Sequence, residues 1–163
     1  MTTIPHHICI PAAGGTYALV LSCPGGGCVS IGKLGELSLA RGFHIYAGSA
    51  FGPGGLRARL ARHALVDKKR HWHIDHLRPH VRLHAIWWVA DPLRREHQWA
   101  AALGDLRATS IPLPRFGASD CHCPAHLFFS EREPSPGAFL RRLRVTDPPH
   151  PPLRRVFVSS AGL

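Results

Sequence analysis

The sequence predicts an α/β domain of the α+β kind, with a small, mainly antiparallel sheet flanked by helices. Three observations carry that expectation. Short apolar runs bounded by glycine and proline recur at 15–22, 28–34, 43–48 and 81–90, with the length and punctuation of strands. Between and after them lie stretches with apolar residues three or four apart, the period of a helix packed along one stripe. The chain has 163 residues and is 45% hydrophobic, which suits one compact domain with a modest core.

Residues 1–13 read as a proline-punctuated lead-in. A first strand over 15–22 (GTYALVLS) lies between Gly14-Gly15 and the turn Cys23-Pro24-Gly25-Gly26-Gly27. In 28–34, Val29, Ile31 and Lys33 alternate with small or polar neighbours, a second strand. Residues 35–42 turn the chain and 43–48 make a third strand. Consecutive short strands on short loops are most simply an antiparallel meander. Gly52-Pro53-Gly54-Gly55 then opens a helix over 54–65, with Leu56, Leu60 and Ala64 on its inner stripe and Arg57, Arg59, Arg62 and His63 around the rest. A charged connection (67–70) leads to a second helical piece, 71–77, ending before Pro79.

Residues 81–90 (VRLHAIWWVA) alternate and then turn wholly apolar, as a central strand does. Asp91-Pro92 supplies a cap and a first-turn proline for a helix to about residue 107, with Leu93, Ala100 and Leu103 on one stripe. Residues 111–114 read as extended, 116–124 as a loop and 125–129 as a last strand. The folded unit is therefore 14–131. From 132 to 163 the composition shifts to proline and arginine, read as a mobile basic tail with at most a short helix near 138–144.

Lys plus Arg number 20 against 10 for Asp plus Glu, a formal charge of +10 with histidine neutral. The resulting pI near 10.5 points to a polyanionic partner, nucleic acid first among them. A general arginine bias is the blander explanation. No apolar run reaches membrane-spanning length, and the N-terminus lacks the charged-then-apolar pattern of a secretory signal. The 5 cysteines, odd in number and irregularly spaced, make no disulfide framework, so a reducing cytoplasm is expected.

Cutting a phosphodiester needs a positioned water, a base, positive charge on the phosphoryl oxygens and usually a carboxylate-held metal. Groups of those kinds stand at the element boundaries: Tyr17, Tyr46, Arg59, His63 and Glu96. The chain's 2 tyrosines both lie in glycine-flanked strands. Taken singly, each has a plain structural explanation: a half-buried packing tyrosine, a solvated arginine, a glutamate favoured by its helix N-terminus.

Taken in order, Gly15-Thr16-Tyr17, Tyr46-Ala47-Gly48, Leu56-x-x-Arg59-x-x-x-His63 and a helical Glu96 resemble the GIY-YIG nuclease superfamily. The segments GTYAL, IGKLG, YAGSA, GGLRARLARH, HWHIDHL and SDCHCPAHLFF look most like its small stand-alone Uri-type endonucleases, over roughly 15–129. The resemblance implies that Tyr17 orients or deprotonates the attacking water, with Tyr46 hydrogen-bonding beside it. It implies that Arg59 stabilises the scissile phosphate, and His63 falls where other branches place tyrosine or histidine. Glu96 would be the single carboxylate ligand of one Mg2+ or Mn2+ ion. The isoleucines of both triplets are replaced, by Thr16 and Ala47, and Ser119 or Asp120 stands in for an asparagine of other branches.

The substrate expected is DNA, single-stranded or structured forms included, with RNA left open. Arg57, Arg62, Lys68, Lys69 and Arg70 would grip the backbone without reading bases, and His73 would line the site. Asp75 could orient a histidine or join a metal site. Cys121-His122-Cys123-Pro124-Ala125-His126 invites a zinc reading, completed by His71 or His73. Its spacing is not that of a common zinc knuckle, so a loop braced by small cysteines ranks ahead of it. A zinc deaminase is disfavoured, because H-x-E with P-C-x-x-C is missing. The rivals to a nuclease are a non-catalytic basic nucleic-acid-binding module and a zinc-stabilised interaction domain.

Overall fold

A computed structural model describes residues 8–146 and 149–158. Residues 1–7 of the expected lead-in, and 147–148 and 159–163 of the expected tail, lie outside the described residues. In chain order the strands are β1 (Gly15–Cys23), β2 (Cys28–Ile31), β3 (Gly35–Ser38), β4 (Gly42–Ser49), β5 (Arg82–Ala90), β6 (Leu127–Ser130) and β7 (Arg154–Phe157). The helices are α1 (Gly55–Ala64), α2 (His73–Leu77) with a 3-10 turn after it (Arg78–His80), α3 (Glu96–Gly104) and α4 (Pro136–Thr146).

Five strands form one antiparallel sheet in the order β6-β4-β1-β5-β7, and β2 and β3 form a separate hairpin. β1 is the centre, paired with β4 from Thr16↔Ser49 to Cys23↔Gly42 and with β5 from Gly15↔Ala90 to Ser22↔Arg82. The period of two in a strand sends alternate side chains to opposite faces. Tyr17, Leu19 and Leu21 therefore meet Leu56 and Leu60 of α1, Ile74 and Leu77 of α2, and Ile31 and Leu37 of the hairpin. Ala18 and Val20 share the opposite face with Trp87 of β5, Trp99 and Leu103 of α3, and Phe139 and Leu143 of α4. Covered on both faces, β1 is apolar nearly throughout.

The α+β class is as expected, and four elements differ. The first strands are not a meander. Residues 35–38, expected as a turn, pair with β2, and β4 takes the place beside β1 because its apolar strip is long enough for an eight-residue ladder. The helix after β5 begins at Glu96 and not at Asp91. Asp91 instead closes a local turn, its Oδ1 accepting the Leu93 amide at 2.7 Å, which leaves Leu93 59% exposed and off the core stripe.

The region after 132 is not a loose tail. Phe139 and Leu143 are fully buried, and β7 adds an edge strand to β5 from Ala85↔Phe157 to Trp88↔Arg154. The lead-in also docks where it is described. The carbonyls of Ala13 and Pro11 accept the amides of Leu56 and Arg57 at 2.9 and 3.1 Å, satisfying the N-terminus of α1. Gly55 permits that approach: at φ +55, any Cβ on it would lie 2.3 Å from the Ala13 carbonyl oxygen. No helix among the described residues is long and apolar enough to cross a membrane.

Candidate active site

Tyr17 stands opposite Gly48 across the β1–β4 ladder, and Tyr46 lies two residues along β4 on the same face. The Tyr17 ring lies across β4 at Gly48, where a Cβ would come within 2.4 Å of the hydroxyl oxygen. That close approach is the physical reason for glycine after Tyr46-Ala47. Tyr17 is 1% exposed and Tyr46 8%. Burial, reinforced by the Tyr46 hydroxyl, holds the Tyr17 phenol well above its usual range, with Arg59 pulling the other way and Glu96 adding to the rise. Tyr46 is likewise pushed up by burial and then by Glu96, against Arg59. Both are neutral phenols at rest.

α1 carries the next groups. Arg59 and His63 are one turn apart and share a face, as i,i+4 pairs do. Tyr17 Oη and His63 Nε2 are 2.7 Å apart, and the His63 ring also lies 6.2 Å from the Tyr46 ring. Burial, and after it the charge of Lys68, lowers the His63 pKa to about 3. His63 is thus a neutral imidazole that can accept the Tyr17 hydrogen bond. Its backbone is tied down as well, because buried Arg78 donates from Nε to the His63 carbonyl at 2.8 Å and from a terminal nitrogen to the Val81 carbonyl at 3.0 Å. The Arg59 guanidinium sits 4.3 Å above the Trp72 ring and that of Arg62 4.8 Å from it, so the indole is flanked by two cations.

Glu96 reaches the cluster from the first turn of α3. Its Oε1 lies 2.7 Å from His126 Nδ1, and its side chain also bonds Ser49 at the end of β4. Burial works against its charge, but the His126 and Ser49 bonds outweigh it and keep the carboxyl below its usual range. His126 is held above its usual pKa despite burial, chiefly by Glu96. On the far side of His126, Nε2 lies 3.4 Å from Cys121 Sγ. His97, Cys121, Cys123 and His126 form a group whose ligating atoms all lie within 4.8 Å of one another, a possible metal-binding set.

Tyr17, Tyr46, Arg59, His63 and Glu96, scattered over 80 positions of sequence, are brought to one place. The expected gripping residues are tied to the protein to differing extents. The Lys68 ammonium is 3.1 Å from Asp75 Oδ1 with its side chain 5% exposed, and it donates to the Arg62 carbonyl at 2.7 Å. Arg62 itself binds Asp75 at 2.8 Å, and Arg57 donates to the Ile10 carbonyl at 3.0 Å. His73 accepts the Gly117 amide at 3.0 Å and so braces the loop. Arg57, Lys69 and Arg70 are exposed.

Asp75 thereby acquires a role. It gathers Arg62, Lys68 and the amides of His71 and Trp72, and against the opposing effect of burial the two amides and Lys68 hold its carboxyl below the usual range. The sequence groups His126 with Cys121 and Cys123, but it does not by itself pair His126 with Glu96 or bring in His97. The one local signal for His97 is its place directly after Glu96.

The fold and this cluster define an α+β domain with a tyrosine–histidine–arginine–carboxylate site on one face of a central antiparallel pair. The chain belongs to the family described as domain of unknown function DUF123, which matches residues 16–145. That match runs through most of α4, past the expected boundary at 131. No curated protein and no solved structure matches the chain.

Proposed function

We propose that this protein is a divalent-metal-dependent endonuclease that hydrolyses phosphodiester bonds in DNA, of the GIY-YIG, Uri-type kind its motifs resemble. The observation that supports this reading best is the meeting of Tyr17 with His63 at 2.7 Å, with Arg59 and Glu96 close enough to shift the tyrosine. A packing tyrosine needs a partner for its hydroxyl, but not an arginine and a carboxylate beside it.

In this reading Tyr17 Oη, held in place by His63 Nε2, orients the attacking water, whose oxygen forms the new bond to phosphorus as its proton passes to solvent. Tyr46, which keeps more accessible surface than Tyr17, positions that water from the open side of the pair. Arg59 stabilises the charge developing on the phosphoryl oxygens, and Trp72 keeps its guanidinium in place. The bond to the leaving oxygen breaks, and solvent supplies that oxygen with its proton.

The donor set suits a hard cation. Glu96 is held ionised, one of its oxygens is engaged by His126, and magnesium commonly takes a single carboxylate and completes its shell with substrate phosphate and water. Magnesium or manganese bound at Glu96 would supply Lewis-acid charge to a phosphoryl oxygen. The expected compartment is the cytoplasm.

The deciding experiment offers the purified chain single-stranded, duplex and branched DNA, and RNA, with Mg2+ or Mn2+. Wild type should cut at least one DNA form, while Glu96→Ala and Arg59→Ala should be slower by roughly 100-fold or more. No cleavage of any substrate, with salt-sensitive binding that persists in chelator, would leave the non-catalytic binding module as the better reading.

A further inference from the structure

We infer that His97, Cys121, Cys123 and His126 are the ligands of a structural zinc ion, and that this ion fixes the loop carrying His126 against Glu96. The four come from two elements that are distant in sequence. His97 projects from the first turn of α3, and the others lie on the loop that enters β6. Their ligating atoms lie within 4.8 Å of one another. The edge from Cys121 Sγ to His126 Nε2, 3.4 Å, is close to the edge of about 3.6 Å that zinc–sulfur and zinc–nitrogen bonds of tetrahedral geometry require.

Three further features point the same way. The Arg115 guanidinium donates to the carbonyls of Cys123 at 2.7 Å, Cys121 at 2.6 Å and Ala118, so the cysteine loop is shaped from within. His126 presents Nε2 to the sulfur while Nδ1 meets the Glu96 carboxylate at 2.7 Å. Metal-bound histidines are habitually oriented by a carboxylate in this way. The donor set, two sulfurs and two imidazoles with no oxygen, selects zinc over magnesium or calcium. Four protein ligands close the shell, which makes the ion structural and not catalytic.

The consequence for Glu96 rests on the proposed nuclease reading, in which His126 is a positioning residue for the cleft carboxylate. The zinc site itself does not depend on that reading.

The test is metal analysis of the untagged full chain from zinc-supplemented cells, followed by exchange into cobalt. About one zinc per chain is expected, with the thiolate charge-transfer bands of tetrahedral cobalt after exchange. His97→Ala removes an exposed side chain, so the fold should survive while zinc retention falls. Cys123→Ser should lose zinc outright, and Arg59→Ala, outside the set, should keep it. Wild type with less than about a tenth of an equivalent and no cobalt spectrum would overturn the inference. Full retention of zinc in folded His97→Ala would overturn this ligand set. If Cys123→Ser does not fold, wild-type stoichiometry and His97→Ala still decide. Zinc present without DNA cleavage would sink the nuclease reading and leave the site standing.

Discussion

Tyr17 and His63, 46 residues apart in the chain, meet at 2.7 Å through a buried hydroxyl–imidazole contact between the central strand and α1. The contact joins packing to chemistry, since it satisfies two buried polar atoms and fixes the direction of the Tyr17 hydroxyl. Tyr17→Phe keeps the ring and removes only the hydroxyl. It should cost about 1–3 kcal/mol of stability by stranding His63 Nε2, and roughly 100-fold or more in single-turnover cleavage. Urea unfolding and quench-flow rates on one preparation check both. Unimpaired cleavage would remove Tyr17 from the mechanism.

Gly48→Ala places a methyl group 2.4 Å from the Tyr17 oxygen. Either the tyrosine swings away or β4 separates from β1, and the contact with His63 stretches in both cases. A loss of about 1–3 kcal/mol is expected, as for other overpacked sites, together with most of the activity. A crystal structure of the variant with Tyr17 undisturbed would contradict this.

Stability should decline in acid through named histidines. Burial holds His63 to about 3 and His44 to about 4, both below the unfolded value of about 6.5. Below about pH 6.5 the unfolded chain takes up protons that the folded chain refuses, so stability is full above that point and is lost as the pH falls towards 4 and 3. Asp75 and Glu96, also depressed, add to the loss at the acid end, while His126, raised by Glu96, acts in the opposite sense. Urea midpoints should be nearly level from about pH 8 to 7 and fall between about 6 and 4. His44, with neither ring nitrogen hydrogen-bonded, provides the control: His44→Leu should be more stable than wild type at about pH 5 and should flatten the slope.

Phe139 tests whether the segment after residue 132 is structural. Its ring stacks on Trp87 at 5.4 Å and meets Trp99 edge-on at 5.0 Å, fully buried. Phe139→Ala should cost about 3–5 kcal/mol, the usual range for a truncated core phenylalanine. Thermal melts would show it, and an unchanged melting temperature would restore the tail.

Much of the architecture was legible in local pattern. Leu56 and Leu60 declared the inner stripe of α1, and strand alternation placed Tyr17 with Leu19 and Leu21 on one face. Ordered motifs named the five residues that come together at the site. Less legible was anything that depended on a distant partner. The run 28–34 looked as able to join β1 as β4 did, because alternation marks an apolar face but not its neighbour. Pro- and Arg-rich sequence after 132 resembled a linker, since Phe139 and Leu143 supply only a narrow stripe whose burial requires the groove beside Trp99.

The sequence by itself determined the class of fold, the strands and helices that carry Tyr17, Tyr46, Arg59, His63 and Glu96, and the excess of positive charge. Only the tertiary structure decided which charges are free and which side chains meet. Asp75, buried beneath Lys68 and Arg62, pairs with both of these expected phosphate grips. Glu96 lacked a partner until the loop before β6 brought His126 to it, with His97 and two cysteines on the other side. Local sequence records what a residue can do within a turn or two of its own backbone. Long-range packing sets the burial and the charged neighbours, and those settle what it does.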